Sequence, residues 1–161
     1  MICPACRNPL SSQTVGDITV DVCRDGCGGI WFDHFELRKV DERHEHAGET
    51  LLDIPRRAGA PLDPQAKRHC PRCEGVIMMQ HFFSIKRRVV VDECAECGGL
   101  WLDAGELAEI RGLFPDTAAR EAATTAYFND LAAAMTSSKK TKKALRFVAP
   151  AGRGNGPQAQ A

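Results

Sequence analysis

The stretch Cys27-Gly28-Gly29-Ile30-Trp31-Phe32-Asp33-His34-Phe35-Glu36-Leu37 returns seventy positions later as Cys97-Gly98-Gly99-Leu100-Trp101-Leu102-Asp103-Ala104-Gly105-Glu106-Leu107. Both tryptophans of the 161-residue chain occupy the same place in the two copies. Upstream, Cys3-Pro4-Ala5-Cys6 aligns with Cys70-Pro71-Arg72-Cys73 at an offset of 67, so a whole module is duplicated. The second copy has four more residues between its cysteine pairs and one fewer within its last pair.

Eight cysteines thus fall into four close pairs: Cys3/Cys6 with Cys23/Cys27, and Cys70/Cys73 with Cys94/Cys97. Two short-spaced pairs joined by 16 or 20 residues let two turns converge on one tetrahedral ion. Four sulfurs at about 2.3 Å form a closed structural site with no open coordination position. Zinc, two ions in all, is the favoured cofactor, and iron fits the same geometry. The N-terminal Met1-Ile2-Cys3-Pro4 has neither the charged region nor the apolar core of a secretory signal. Apolar runs such as Val89–Val91 are far too short to cross a bilayer. A cytoplasmic location without membrane contact is therefore expected, where thiolate clusters bind metal rather than forming disulfides. No βαβ context supports a redox Cys-x-x-C, and no dinucleotide or Walker pattern follows Gly28-Gly29.

Between the cysteine pairs the chain reads as β-hairpins. Gly16-Asp17 is a turn before the alternating Ile18-Thr19-Val20-Asp21-Val22; in copy two, Val76–Met79 runs up and Arg88–Asp92 returns. The paired acids Asp33/Glu36 and Asp103/Glu106 invite an acid–base reading. Helix capping explains them more fully, with Asp as N-cap, Glu reaching back, and Phe32/Leu37 and Leu102/Leu107 as hydrophobic staples. Trp31 and Trp101 are expected to seal each hairpin against its helix. In copy one that helix should run from Asp33 to about His46 and fray at Gly48. In copy two it should stop at Phe114-Pro115, with Asp116 and Thr117 capping an Ala-rich helix through Ala134. His44 and His46 point away from each other at i,i+2, and His34, His69 and His81 are expected at the surface.

Cys-Pro-x-Cys, a hairpin, a second cysteine pair and Gly-Gly-x-Trp-x-Asp-x-x-Glu-Leu together resemble the bacterial transcription-factor-IIB-type zinc-ribbon family, over roughly residues 1–37 and 70–107. The resemblance implies zinc ribbons ligated by Cys3, Cys6, Cys23 and Cys27, then by Cys70, Cys73, Cys94 and Cys97. Copy one departs from the pattern at Cys23-x-x-x-Cys27 and at His34-Phe35. The expected fold is a small metal-stabilised α+β protein: two zinc ribbons, each a β-hairpin plus a short helix, followed by a C-terminal helix and a disordered tail. The boundaries are ribbon one with its trailing helix at 1–47, a linker at 48–68, ribbon two at 69–114, the Ala-rich helix and basic segment at 115–147, and the tail at 148–161. Modules near 40 residues seldom stand on an apolar core alone, and a structural zinc contributes on the order of 10–16 kcal/mol in comparable peptides.

The formal net charge of zero is a cancellation. Residues 1–37 carry −3, whereas residues 138–161 carry six basic and no acidic side chains. Basic residues concentrate at the hairpin tip Lys86-Arg87-Arg88 and at Lys139, Lys140, Lys142, Lys143 and Arg146, the candidate phosphate contacts. With no open metal position, no nucleophile–base pair and no cofactor motif, an enzyme is not expected. The leading reading is a non-catalytic, nucleic-acid-associated or transcription-related adaptor that contacts nucleic acid or a nucleic-acid-associated protein. The alternative is a protein–protein interaction module with no nucleic-acid contact. Metal handling is a weaker third reading, because closed four-sulfur sites release metal slowly.

Overall fold

The computed structural model describes residues 1–57, 63 and 66–145, with the side chains of the last helix described to Thr136. The side chains of Lys139, Lys140, Lys142 and Lys143, all of Arg146 and the expected tail at 148–161 lie outside the described residues. Six strands form one antiparallel sheet: β1 (Ser11–Val15), β2 (Ile18–Val22), β3 (Ile30–Phe32), β4 (Met79–Phe82), β5 (Val90–Glu93) and β6 (Leu100–Leu102), in the order β1-β2-β3-β6-β5-β4. Each copy supplies three consecutive strands, and β3 pairs with β6 to join the halves. Ile30 lies opposite Leu102, Trp31 opposite Trp101 and Phe32 opposite Leu100, so the tryptophan pair sits on a pseudo-twofold axis.

The period-two alternation of the strands sorts side chains onto two faces. Ile18, Val20, Val22, Ile30, Phe32, Val91 and Leu102 build an aliphatic core roofed by Leu37, Val40, Leu51, Leu107, Ile110 and Leu113. Trp31 and Trp101 belong to the other cluster, with Met78 and the cysteines. The tryptophans therefore do not close each hairpin against its own helix as expected; each covers a glycine of the other copy. A Cβ on Gly29 would lie 2.2 Å from Trp101 Cζ2, and one on Gly99 would lie 2.1 Å from Trp31 Cζ2.

The helical segments break the symmetry. Copy two forms α2 (Glu106–Arg111). Copy one forms only a 3-10 turn at Leu37–Lys39 and a four-residue helix, α1 (His46–Glu49), instead of one helix from Asp33 to His46. Phe35 adopts a left-handed φ of 71°, and the segment after Leu37 is drawn around Arg111 of copy two. That buried guanidinium donates to the carbonyls of Val40 (2.6 Å), Glu45 (3.2 Å) and Arg43 (3.2 Å), satisfying groups a continuous helix would have paired internally. Asp116 Oδ1 accepts the Ala119 amide at 2.8 Å and starts α3 (Thr117–Leu145), which runs past Ala134. Thr117 and Arg120 fix its first turns to Asp41 and Glu42, within a compact unit of residues 1–123. The remainder of α3 belongs to a second unit, on which Phe128, Leu131 and Met135 are exposed.

The close approach at the junction sets a test. Gly99→Ala should cost about 3 kcal/mol or more, because a buried ring has to give way. Gly75→Ala, at positive φ but with open space around its Cβ, should cost only about 1 kcal/mol. Denaturant unfolding of both variants checks the ranking.

Candidate metal centres

Each copy brings four sulfurs together, all ligand atoms lying within 4.8 Å of one another: Cys3, Cys6, Cys23 and Cys27 in one group, Cys70, Cys73, Cys94 and Cys97 in the other. Cys3 and Cys27 Sγ are 3.5 Å apart, Cys6 and Cys23 3.4 Å, and Cys70 and Cys97 3.8 Å. A tetrahedron of sulfurs at about 2.3 Å from zinc has edges of roughly 3.8 Å, which the Cys70–Cys97 edge equals and the two edges of copy one fall slightly short of. All eight are free thiols rather than disulfides. Burial pushes the Cys23 thiol up to about 12 and the Cys70 thiol up to about 11, whereas contact with Cys27 draws Cys3 down to about 5. Four sulfurs this close share negative charge only around a cation, and the donor set fits two zinc ions.

Local backbone explains how each knuckle closes. The Cys6 amide approaches Cys3 Sγ at 3.4 Å, and the Arg72 and Cys73 amides approach Cys70 Sγ at 3.4 and 3.2 Å. Such N–H···S contacts disperse thiolate charge. The extra residue of copy one is absorbed by Gly26, whose missing Cβ leaves room for Cys6 and Cys23 Sγ. The Gly26 carbonyl also accepts the Arg57 amide at 2.8 Å, which ties the chain after α1 onto ribbon one.

The paired acids are structural, and only half of the expected capping geometry is present. Glu36 and Glu106 accept the amides of Asp33 and Asp103 at 2.8 and 2.7 Å. The aspartates do not cap; they accept the indole N–H of Trp31 (3.2 Å) and Trp101 (3.0 Å). Asp33 also pairs with Arg72 of copy two. Arg68, 4% exposed, bridges Asp92 (2.5 Å) and Asp103 (2.7 Å). Sequence patterns alone did not single out Arg68, Arg72 or Arg111. The available signal for the first two was a mismatch between copies, since Arg68 aligns with Met1 and Arg72 with Ala5.

The remaining candidates are dispersed. Lys86 is engaged within the fold: its Nζ donates to the Leu113 carbonyl and lies 4.1 Å from the Phe114 ring centroid. Arg87 holds a left-handed φ of 49° at the tip, and Arg88 is exposed. His81 pairs with Glu93 at 2.7 Å. His44 and His46 lie near Glu42 and Glu49. Among the described residues the two cysteine groups are the only metal-ligand clusters.

Known proteins add one match. The family described as transcription factor zinc-finger, a transcription-factor-IIB-type zinc ribbon, matches residues 2–43 and again residues 69–110, just over half of the chain. No curated protein and no solved structure matches the chain. Among the described residues no helix is long and apolar enough to cross a membrane.

Chelating the metal should collapse the near-ultraviolet circular dichroism of Trp31 and Trp101, which pack against the ligands. Disabling site two alone, with Cys70→Ser and Cys73→Ser, should also speed hydrogen exchange in β2, because the sheet is shared. A second test uses Glu106, which burial, helped by Asp103 and Asp92, pushes up to about 7 against the opposing Asp103 amide and Arg68. Its folded-state value lies above the unfolded one, so its contribution is full below about pH 4.5 and is lost as pH rises through about 7. Glu106→Gln should therefore stabilise the protein by on the order of 2 kcal/mol at pH 8, with the difference fading toward pH 5. Paired unfolding curves at the two pH values measure it.

Proposed function

The chain belongs to the transcription factor zinc-finger family, and from that premise we propose that it is a non-catalytic adaptor contacting nucleic acid or a nucleic-acid machine through surfaces that its two zinc ribbons hold in place. The observation that carries the non-catalytic part is the donor set. Each centre has four cysteine sulfurs, three of the four residues buried in the first and two of the four in the second, so a tetrahedral ion bound by all four keeps no position for water or substrate. The acids beside the centres are engaged with indole N–H groups, backbone amides and arginines. The metals hold shape, and the surface does the work.

The nucleic-acid reading is supported by the family description and by the placement of basic residues. Arg87 and Arg88 sit at the tip of the longer hairpin, where Lys86 buttresses the loop against the end of α2. Lys139, Lys140, Lys142, Lys143 and Arg146 add a second cationic group in the sequence. One observation favours the alternative protein-binding reading. The edge strand β4 exposes Met79 and Phe82 beside Ile77 and Val90, whereas the equivalent edge β1 presents Ser11, Ser12 and Thr14.

A salt series of fluorescence anisotropy with labelled nucleic acid decides between them. The adaptor reading expects the logarithm of affinity to fall linearly with that of salt concentration. Neutralising Arg87 and Arg88 should reduce the slope by about 0.7–0.9 for each phosphate left without its cation. A flat salt response, with a stoichiometric protein partner retained on purification, would favour the alternative.

A further inference from the structure

The two copies differ in shape at one corner. Where copy two has Ala104-Gly105, copy one has His34-Phe35. Gly105 and Phe35 take equivalent left-handed backbone angles, φ 95° and 71°. Glycine adopts such a conformation freely, but phenylalanine is strained there. Burial does not offset that strain, because Phe35 is 57% exposed.

The ring is nevertheless held in place. His34 packs on it with ring centroids 3.6 Å apart and donates from Nδ1 to the Gly98 carbonyl at 3.3 Å. A Cβ on Gly98 would lie 2.3 Å from that nitrogen, so the imidazole is seated against the second metal knuckle. The Arg38 guanidinium lies over the Phe35 ring at 5.4 Å. At the corresponding corner of copy two the small residues leave a cleft of about 290 Å³ lined by Gly28, Ala104 and Gly105. Copy one thus presents a half-exposed aromatic ring, backed by histidine and with a cation over it, where copy two leaves open space.

We propose that Phe35 is a stacking platform for an unpaired nucleobase of single-stranded nucleic acid, with Arg38 placed for an adjacent phosphate. The proposal rests on the nucleic-acid reading above and names the subsite. The chemistry favours a base: the ring is 57% exposed and accepts any base by stacking in place of the guanidinium that lies over it, which frees that cation for the polyanionic backbone. A base inside a duplex keeps its faces stacked on its neighbours, which selects single strands.

The test uses the zinc-loaded full chain with labelled oligothymidylate and a duplex of equal length, read by anisotropy across a salt series. Phe35→Gly, which installs the copy-two residue, should leave the thermal midpoint at or above that of the parent. It should weaken single-strand binding by about fivefold or more without changing the salt slope or duplex affinity. Phe35→Trp should restore single-strand affinity, and its fluorescence should be quenched on binding. Arg38→Gln should lower the slope itself. If single-strand affinity survives Phe35→Gly, or the introduced tryptophan is not quenched, while the parent still binds in a salt-dependent way, the platform is wrong and the adaptor reading stands. If the parent binds neither probe at low salt, the adaptor reading fails and the platform fails with it.

Discussion

Everything in this protein depends on a reciprocal contact at the centre of the sheet. Trp31 covers Gly99 and Trp101 covers Gly29, across the antiparallel pair of β3 and β6. Both rings are at most 1% exposed. Burying two indoles removes about 150–250 Å² each from water, on the order of 4–6 kcal/mol apiece as an upper bound. Neither ribbon can make this contact by itself. Asp33 and Asp103 complete it by accepting the buried indole N–H groups, which would otherwise be left without partners. The same contact places both metal centres on one face of a single sheet and leaves the opposite face for the aliphatic core.

The duplicated motif reads differently once the junction is known. The first glycine after each knuckle, Gly28 or Gly98, answers a local demand for positive φ. The second, Gly29 or Gly99, answers a demand made by the other copy. Local chemistry was legible in the chain: cysteine spacing defined both centres, Gly16-Asp17 marked a turn between β1 and β2, and Asp116 marked the start of α3. Nonlocal requirements were not. Nothing near Trp31 in sequence says that its ring packs on Gly99, 68 positions away. Arg111 sits at the end of a short helix like many solvated arginines, yet it is buried and gathers three carbonyls of copy one. The helix expected after Asp33 gives way to that same interaction.

Duplication also freed the copies to diverge where symmetry is not required. The junction is nearly identical in the two halves, while the periphery is not. Copy two has the longer hairpin and the buried bridge from Arg68 to Asp92 and Asp103. Copy one has His34-Phe35 and a 3-10 turn in place of the helix. One edge strand is polar and the other partly apolar. A pseudosymmetric centre with unequal ends gives a small chain two differently equipped surfaces on one rigid frame.

The pairing of β3 with β6 has a consequence for synthesis. Residues that meet at the junction are separated by 70 positions or so, and Trp101 follows Trp31 by that whole interval. At about 5–20 residues per second, ribbon one leaves the ribosome roughly 4–14 seconds before its partner strand exists. During that time β3 is an open edge bearing an uncovered tryptophan. A nascent ribbon one can take up its metal early, but its maturation waits for the second half of its own chain, and in a polysome neighbouring nascent chains offer the same strand in the same unfinished state.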